Sequence, residues 1–86
     1  MSEWSREALV ERVHAILRDE ILTARGEFSP RSNLVEAGLD SLAVTQLLLS
    51  IEESTGVWVD ESLLTPENLR TSETLAELVF EQLQSG

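Results

Sequence analysis

Residues 36–42 read Glu36-Ala37-Gly38-Leu39-Asp40-Ser41-Leu42 and mark a loop that turns into a helix. Gly38 suits a turn that needs unusual backbone angles. Asp40 is a residue type that accepts hydrogen bonds from the free amides at a helix start. Ser41 then falls on the first helical turn, where an attached phosphate would meet the positive end of the helix dipole. The same placement also fits an ordinary helix cap, so the spacing alone leaves both interpretations open.

The helix that begins at Ser41 is predicted to run to about Thr55 and to end at Gly56, a common helix terminator. Four apolar residues at helical spacing predict its buried face: Val44, Leu47, Leu48 and Ile51. A second set falls on the other side: Leu42, Thr45, Leu49, Glu52 and Glu53. Leu42 and Leu49 are therefore candidates for exposed apolar contacts bordered by acids, as in a transient protein interface. In the alternative, the later chain buries one of them.

Upstream, a first helix is predicted from about Ser5 to Thr23, with Ser2 or Ser5 as its cap. Its apolar residues form one helical face: Leu9, Val13, Ile16, Leu17 and Ile21. His14 lies between the faces of this helix and has no evident partner. We interpret this lone histidine as a solvated or structurally satisfied side chain and not as a catalyst.

A long connection, about residues 24–39, follows the first helix. Gly26 is its candidate terminator, and Phe28, Leu34 and Val35 are the apolar residues that could pin the connection to the core. A connection of this length is uncommon in a compact domain unless it has a function.

Beyond Gly56, residues 57–60 alternate like a strand, but a lone strand is not stable, so we predict a loop. Trp58 in this loop could plug the core or contact a cargo or a partner, and the sequence does not decide between these roles. Thr65-Pro66-Glu67 predicts the start of a short helix that ends near Leu69 or Arg70.

A last helix is predicted after residue 70, with Thr71 or Ser72 as its cap. Its buried stripe consists of residues at helical spacing: Leu75, Leu78, Val79 and Leu83. Phe80 falls off that stripe, so we expect it to be exposed.

The composition indicates one small domain, residues 1–86, whose fold rests on helix packing. The chain is 42% hydrophobic and has no cysteine, which excludes disulfides and thiolate metal sites. A single histidine excludes a histidine-cluster metal site. The N-terminus lacks the pattern of a signal peptide and no stretch has the length of a membrane span, so we expect a cytoplasmic protein. The start at Met1 without a linker favours a free-standing protein.

The net charge of −10 is unevenly spread, with −2 over residues 1–39 and −8 over residues 40–86. Such a field repels nucleic acid and anionic membranes and attracts basic protein patches. Acidity can also serve solubility alone, and only the serine motif favours partner steering over that simpler role.

The region around Ser41 resembles the phosphopantetheine attachment region of acyl carrier proteins. The resemblance rests on Gly38-Leu39-Asp40-Ser41-Leu42, on Leu34 and Glu36 before this stretch, and on Leu47-Leu48 and Ile51-Glu52-Glu53 after it. The resemblance covers about residues 9–79. It implies an all-α fold, a four-helix bundle with three longer helices, a short third helix and a long loop between the first two. In that family the loop delivers the serine, and Val59 resembles a loop residue that tucks toward the bundle.

The resemblance implies that Ser41 bears a covalent 4′-phosphopantetheine arm derived from coenzyme A, which holds acyl groups as thioesters. It also implies that Asp40 helps to hold the magnesium ion of the phosphopantetheinyl transferase that installs the arm. From the residues alone, Ser41 lacks the base and orienting acid of a catalytic serine, because the only histidine is on another helix. We therefore predict a carrier without its own catalysis and without a metal site.

The resemblance further implies that basic patches of partner enzymes grip the second helix. The candidate partner-binding residues are Leu42, Thr45, Gln46, Leu49, Glu52 and Glu53. The expected partners are the transferase, an acyl- or aminoacyl-loading enzyme, and acyltransferases or synthases that meet a monomeric carrier. Ala43 and Gln46 stand where carriers of fatty acid synthesis frequently have acids, which argues against that pathway.

Asp40 before the serine is similar to carriers of fatty acid or polyketide systems, since peptidyl carriers more often have glycine there. We therefore expect a carrier in polyketide or other specialised biosynthesis. One alternative is a discrete aminoacyl or peptidyl carrier of the nonribosomal-peptide type. Another is a helical interaction module of the death-fold kind without a covalent cofactor. A nucleic-acid-binding bundle ranks third, because the acidic surface opposes phosphate contacts.

Overall fold

The computed structural model describes residues 4–22 and 28–85 and is helical throughout its regular elements. Helix α1 spans Arg6–Ile16 and continues as a π-helical turn over Leu17–Ile21. Helix α2 spans Ser41–Thr55 and helix α3 spans Ser72–Ser85, with a 3₁₀ turn at Glu61–Leu63 between them. The described residues contain no strand, so the all-α prediction is confirmed.

Helix α1 begins where a serine satisfies its first amides. The Oγ atom of Ser5 accepts a hydrogen bond from the Ala8 amide at 3.0 Å, so Ser5 is the cap. The helix does not stay α-helical to Thr23, because the Leu22 amide donates to the Leu17 carbonyl, five residues back, at 2.8 Å. The candidates Ser2, Thr23 and Gly26 lie outside the described residues.

The core is formed by the predicted apolar faces. Its buried apolar residues are Leu9, Val13, Ile16, Leu17, Leu34, Leu39, Leu47, Leu48, Ile51, Val59, Leu75, Ala76, Leu78 and Val79. Three predicted members are only partly buried: Ile21, Val44 and Leu83. Helix α1 packs most extensively against α3 and less against α2. Phe80, which we expected to be exposed, also packs against this core, and the Arg6 guanidinium lies 5.0 Å above its ring.

The long connection is fastened to the start of α3. The Leu34 amide donates to the Arg70 carbonyl at 2.9 Å, and the Glu73 amide donates to the Pro30 carbonyl at 3.2 Å. Leu34 is fully buried, as predicted. The prediction that Val35 also pins the connection is wrong, because its side chain is 68% exposed.

The short third helix is not confirmed. Thr65 does start a turn, since its hydroxyl accepts from the Asn68 amide at 3.2 Å and its carbonyl accepts from the Leu69 amide at 3.0 Å. The turn is not extended as an α-helix, because the Arg70 amide donates to the Glu67 carbonyl, three residues back, at 3.4 Å. The Asn68 carbonyl accepts from the Thr74 hydroxyl, and the Arg70 carbonyl accepts from the Leu34 amide. Over the described residues, the architecture is therefore three helices, with a 3₁₀ turn and one isolated turn between α2 and α3.

The start of α3 assigns different tasks to two neighbouring residues. Thr71 is the cap, because its hydroxyl accepts from the Thr74 amide at 3.1 Å while the Thr74 hydroxyl accepts from the Thr71 amide at 3.0 Å. Ser72, the other candidate cap, is fully buried, and its Oγ lies 3.2 Å from Nδ1 of His14. His14 is thus structurally satisfied by a residue of α3.

Candidate functional site

The junction before α2 is built by a helical turn that reverses at Gly38. Asn33 Oδ1 accepts from the Glu36 amide at 2.9 Å and begins the turn. The turn ends with two hydrogen bonds typical of a Schellman motif, from the Leu39 amide to the Leu34 carbonyl and from the Gly38 amide to the Val35 carbonyl. Gly38 has φ of +110°, which side chains rarely adopt. The reversal directs Leu39 into the core beside Leu34 and leaves the next residue at the start of α2.

Asp40 fixes the first residue of α2. Its backbone is extended, and its Oδ1 accepts a hydrogen bond from the Ala43 amide at 2.8 Å. Its carbonyl accepts from the Val44 amide at 2.9 Å, which is the first bond of the helix. The predicted start at Ser41 and the predicted end at Gly56, which has φ of +78°, are both confirmed.

Ser41 is exposed on the first turn of α2, and its hydroxyl has no hydrogen-bond partner in the described part of the chain. Asp40 accepts from the Ala43 amide through its side chain and from the Val44 amide through its carbonyl. The amides of Ser41 and Leu42 have no hydrogen-bond partner in the described part of the chain. Free amides at the positive end of a helix are the donors that an anionic phosphate ester requires. The surroundings of Ser41 therefore fit a phosphodiester that projects from the protein.

Within the described residues, Ser41 has no hydrogen bond to a base or an acid that would activate its hydroxyl. His14 is buried against Ser72 and so does not serve as a base for Ser41. Within residues 4–22 and 28–85, no three histidine or carboxylate side chains form a group that could hold a metal ion. No helix in the described residues is long and apolar enough to cross a membrane.

The six predicted partner-binding residues of α2 are all exposed: Leu42, Thr45, Gln46, Leu49, Glu52 and Glu53. Leu42 is 72% exposed and Leu49 is 50% exposed, so neither is covered by the later chain. The exposed face of α2 thus carries two apolar side chains, Leu42 next to Ser41 and Leu49 two turns later, followed by the acids Glu52 and Glu53. Whether partner enzymes bind these residues stays a prediction.

Two further exposed apolar residues lie outside α2, one before it and one after it in the chain. Val35 lies on the turn that leads into the junction, and Trp58, 50% exposed, lies beyond the end of α2. Asn33 is a turn signal that could have placed Val35 outward, because its side chain caps the turn over residues 34–38, in which Leu34 is buried and Val35 is exposed. The prediction of a loop at residues 57–60 is confirmed, and Val59 is fully buried in it.

Comparisons with known proteins agree with this geometry. The family model described as the phosphopantetheine attachment site matches residues 11–79. Aminoacyl carrier protein 1 of Bradyrhizobium diazoefficiens is 34% identical over 79 residues, which cover 92% of this chain and 86% of that protein. The acyl carrier protein of Nitratidesulfovibrio vulgaris is 36% identical over 52 residues, which cover 59% of this chain and 68% of that protein.

One solved structure contains a chain that is similar to this protein over nearly its whole length. It is the crystal structure of the Bradyrhizobium japonicum glycine:[carrier protein] ligase complexed with glycylated carrier protein. The match has a TM-score of 0.63 at 30% identity and covers 86% of this chain and 97% of that chain. The chain belongs to the phosphopantetheine attachment family and is a carrier protein, with a covalent 4′-phosphopantetheine as its cofactor and no catalysis of its own.

Proposed function

We propose that this protein carries an aminoacyl group on a phosphopantetheine arm attached to Ser41. The observation that carries the proposal is the extent of the matches. Similarity to the aminoacyl carrier protein runs through 92% of this chain, whereas similarity to the acyl carrier protein stops at 59%. The aminoacyl alternative is therefore preferred to the polyketide carrier that we expected from the sequence.

The structure gives Asp40 a role that does not depend on the cargo. The expectation of a polyketide carrier depended on Asp40, which carriers of fatty acid and polyketide systems share. Here the Asp40 carboxylate caps α2 through the Ala43 amide, a task that is independent of the cargo. Asp40 therefore says little about which group the arm holds.

Attachment at Ser41 is supported by exposure and electrostatics. The hydroxyl is accessible to a modifying enzyme, and the free amides of Ser41 and Leu42 favour the phosphate. The arm supplies a thiol, which holds a carboxylic acid as a thioester. The protein contributes a fixed root for the arm, because Gly38 and Asp40 determine where α2 begins.

The proposed partner for loading is an adenylate-forming aminoacyl ligase. The matched chain in the glycine ligase complex is covered to 97% by this chain of 86 residues, so its size is that of a carrier. Between positions 40 and 69 this chain has six acids and no basic residue. Such a surface attracts an enzyme with basic residues around its entrance.

A two-step mass experiment tests the proposal. The purified protein is first incubated with coenzyme A and a broad phosphopantetheinyl transferase, and then with the glycine ligase of Bradyrhizobium, ATP and single amino acids. We expect the mass of one arm to be added, followed by the mass of one aminoacyl group that hydroxylamine removes. Loading by a malonyl transferase with no loading by amino acids would reject the aminoacyl cargo, and no gain with coenzyme A would favour the non-covalent interaction module.

Asp40 is expected to have two separable roles, which two substitutions distinguish. Asp40→Ala removes the cap of α2 and should lower the free energy of unfolding by about 1 kcal/mol. Asp40→Asn keeps an oxygen for the Ala43 amide and should change stability by only a few tenths of a kcal/mol. If the carboxylate also holds the magnesium ion of the transferase, both variants should acquire the arm roughly 10- to 100-fold more slowly. Urea denaturation and the time course of the mass gain measure the two effects, and an Asp40→Asn variant modified at the wild-type rate would contradict the magnesium role.

A further inference from the structure

Trp58 is the largest exposed apolar side chain beyond the end of α2. Burial alternates along residues 57–60, with Val57 partly buried, Trp58 50% exposed, Val59 fully buried and Asp60 exposed. This is the alternation of an extended chain, in which every second side chain points to the same side. The indole therefore faces outward while Val59 anchors the segment to the core.

Carboxylates flank Trp58 on both sides in the chain. Asp60 lies on the same side of the segment, about 7 Å along the backbone. Glu61 follows it, and Glu53 lies in the last turn of α2; both are exposed. The hydrogen bond from the Ser62 amide, and to a lesser extent that from the Ser62 hydroxyl, holds the pKa of Asp60 below its usual range. This carboxylate is therefore ionised.

These acids have no ion-pair partner within residues 4–22 and 28–85. In the described part of the chain, no arginine forms an ion pair with an acid between positions 40 and 69. The last turn of α2 has no basic residue, so Glu52 and Glu53 face the negative end of the helix dipole, which is unfavourable for the helix. Residues that lower the stability of their own helix are expected at binding sites, where they are kept for function.

Trp58 lies three residues beyond α2, whereas Ser41 is the first residue of that helix. Helix α2 has 15 residues and is about 22 Å long. This length is compatible with a single protein footprint of standard size, about 800 Å² on each partner. A protein that covers the exposed face of α2 from Ser41 onward therefore reaches the helix end, three residues before Trp58 in the chain.

We propose that Trp58 with Glu53, Asp60 and Glu61, called here the Trp58 surface, docks an arginine-bearing patch of the aminoacyl-loading enzyme. An arginine guanidinium stacks on an indole face and donates hydrogen bonds to carboxylates at its edge. A second copy of this chain does not fit, because each copy has a net charge of −10. Membranes of anionic lipid and nucleic acids are repelled for the same reason. The identity of the partner rests on the function proposed above.

Steady-state loading of the holo-protein by the glycine ligase tests the Trp58 surface. We expect Trp58→Ala to raise the KM for the carrier about tenfold with little change in kcat, and Trp58→Phe, which keeps an aromatic face, to raise it less. Glu61→Gln should raise KM, and the rise should shrink in high salt. Glu7→Gln, which removes the same charge from α1, is the matched control and should leave KM unchanged. Circular dichroism and thermal unfolding of each variant verify the fold.

The outcomes separate this proposal from the proposed function. Loading of the wild type with the same KM for Trp58→Ala and Glu61→Gln would overturn the docking surface and leave the aminoacyl function standing. A wild-type holo-protein that no amino acid loads would overturn the proposed function, and the docking proposal with it. Dimerisation that Trp58→Ala abolishes, measured by sedimentation, would assign the surface to a second copy and overturn the docking proposal.

Discussion

Replacement of Ser41 by alanine should abolish the covalent gain of the phosphopantetheine arm and leave the fold intact. The Ser41 hydroxyl has no hydrogen-bond partner among the described residues, so its removal costs no internal contact. Alanine is favourable within a helix, and Asp40 still provides the cap. We therefore expect the free energy of unfolding to change by no more than about 0.5 kcal/mol. Intact mass after incubation with coenzyme A and the transferase should show only the unmodified chain.

A serine farther along the same helix provides the matched control. Ser50 donates a hydrogen bond to Glu20 Oε1 at 3.4 Å and lies nine residues after Ser41. Ser50→Ala should gain the arm as the wild type does, since the free amides at the start of α2 are unchanged. Subsequent loading with an amino acid should proceed in Ser50→Ala and stay at background in Ser41→Ala. An arm on Ser41→Ala would show that another hydroxyl is the attachment site.

Local chemistry explains which parts of this fold the sequence could predict. The ends of α2 follow from Asp40 and Gly56, since a cap and a left-handed terminator act on residues within one turn. The buried faces of the three helices follow from apolar residues at helical spacing. Ser41 could be identified as the candidate site for the same reason, because the start of a helix is encoded by its neighbours.

The features that were missed depend on partners distant in the chain. Thr65 starts a turn as predicted, but the chain beyond it is held by distant partners. The Asn68 carbonyl accepts from the Thr74 hydroxyl and the Arg70 carbonyl accepts from the Leu34 amide, so no helix continues there. The partner of His14 is 58 residues away, on α3, and no local pattern announces it.

Acidification should destabilise the wild-type domain more than a His14→Gln variant. The His14 side chain is only 9% exposed, bonds Ser72 through Nδ1 and stacks on the Phe28 ring with centroids 4.8 Å apart. Burial lowers the pKa of His14 below its usual 6.5, and the positive charge of Arg18 lowers it further. A hydrogen bond with the Phe28 backbone and the charge of Asp19 oppose this shift but do not cancel it. Because the folded state holds the proton less tightly than the unfolded chain, falling pH favours unfolding.

The pH window follows from the direction of the shift. The contribution of neutral His14 to stability is fully present above the unfolded pKa of 6.5 and is lost as the pH falls through the lower folded pKa. Urea denaturation of wild type and His14→Gln at pH 7.5 and pH 5.5 measures it. At pH 7.5 the variant should be less stable by about 1–3 kcal/mol, because the stacking on Phe28 and the hydrogen bond with Ser72 are disturbed. This gap should narrow at pH 5.5.

The comparison between the two proteins isolates His14 from the carboxylates. Both chains have the same 16 acids, so the relief of acidic repulsion on protonation is common to both and cancels. A gap that stays constant from pH 7.5 to pH 5.5 would show that His14 titrates alike in the folded and unfolded chains. The loss of stability should begin where His14 joins the long connection to α3. The Glu73 amide, which is bonded to the Pro30 carbonyl, should therefore exchange its hydrogen faster in the wild type than in His14→Gln at pH 5.5. The Ala43 amide, capped locally by Asp40, should not show this difference, because its hydrogen bond forms within α2 and its cap.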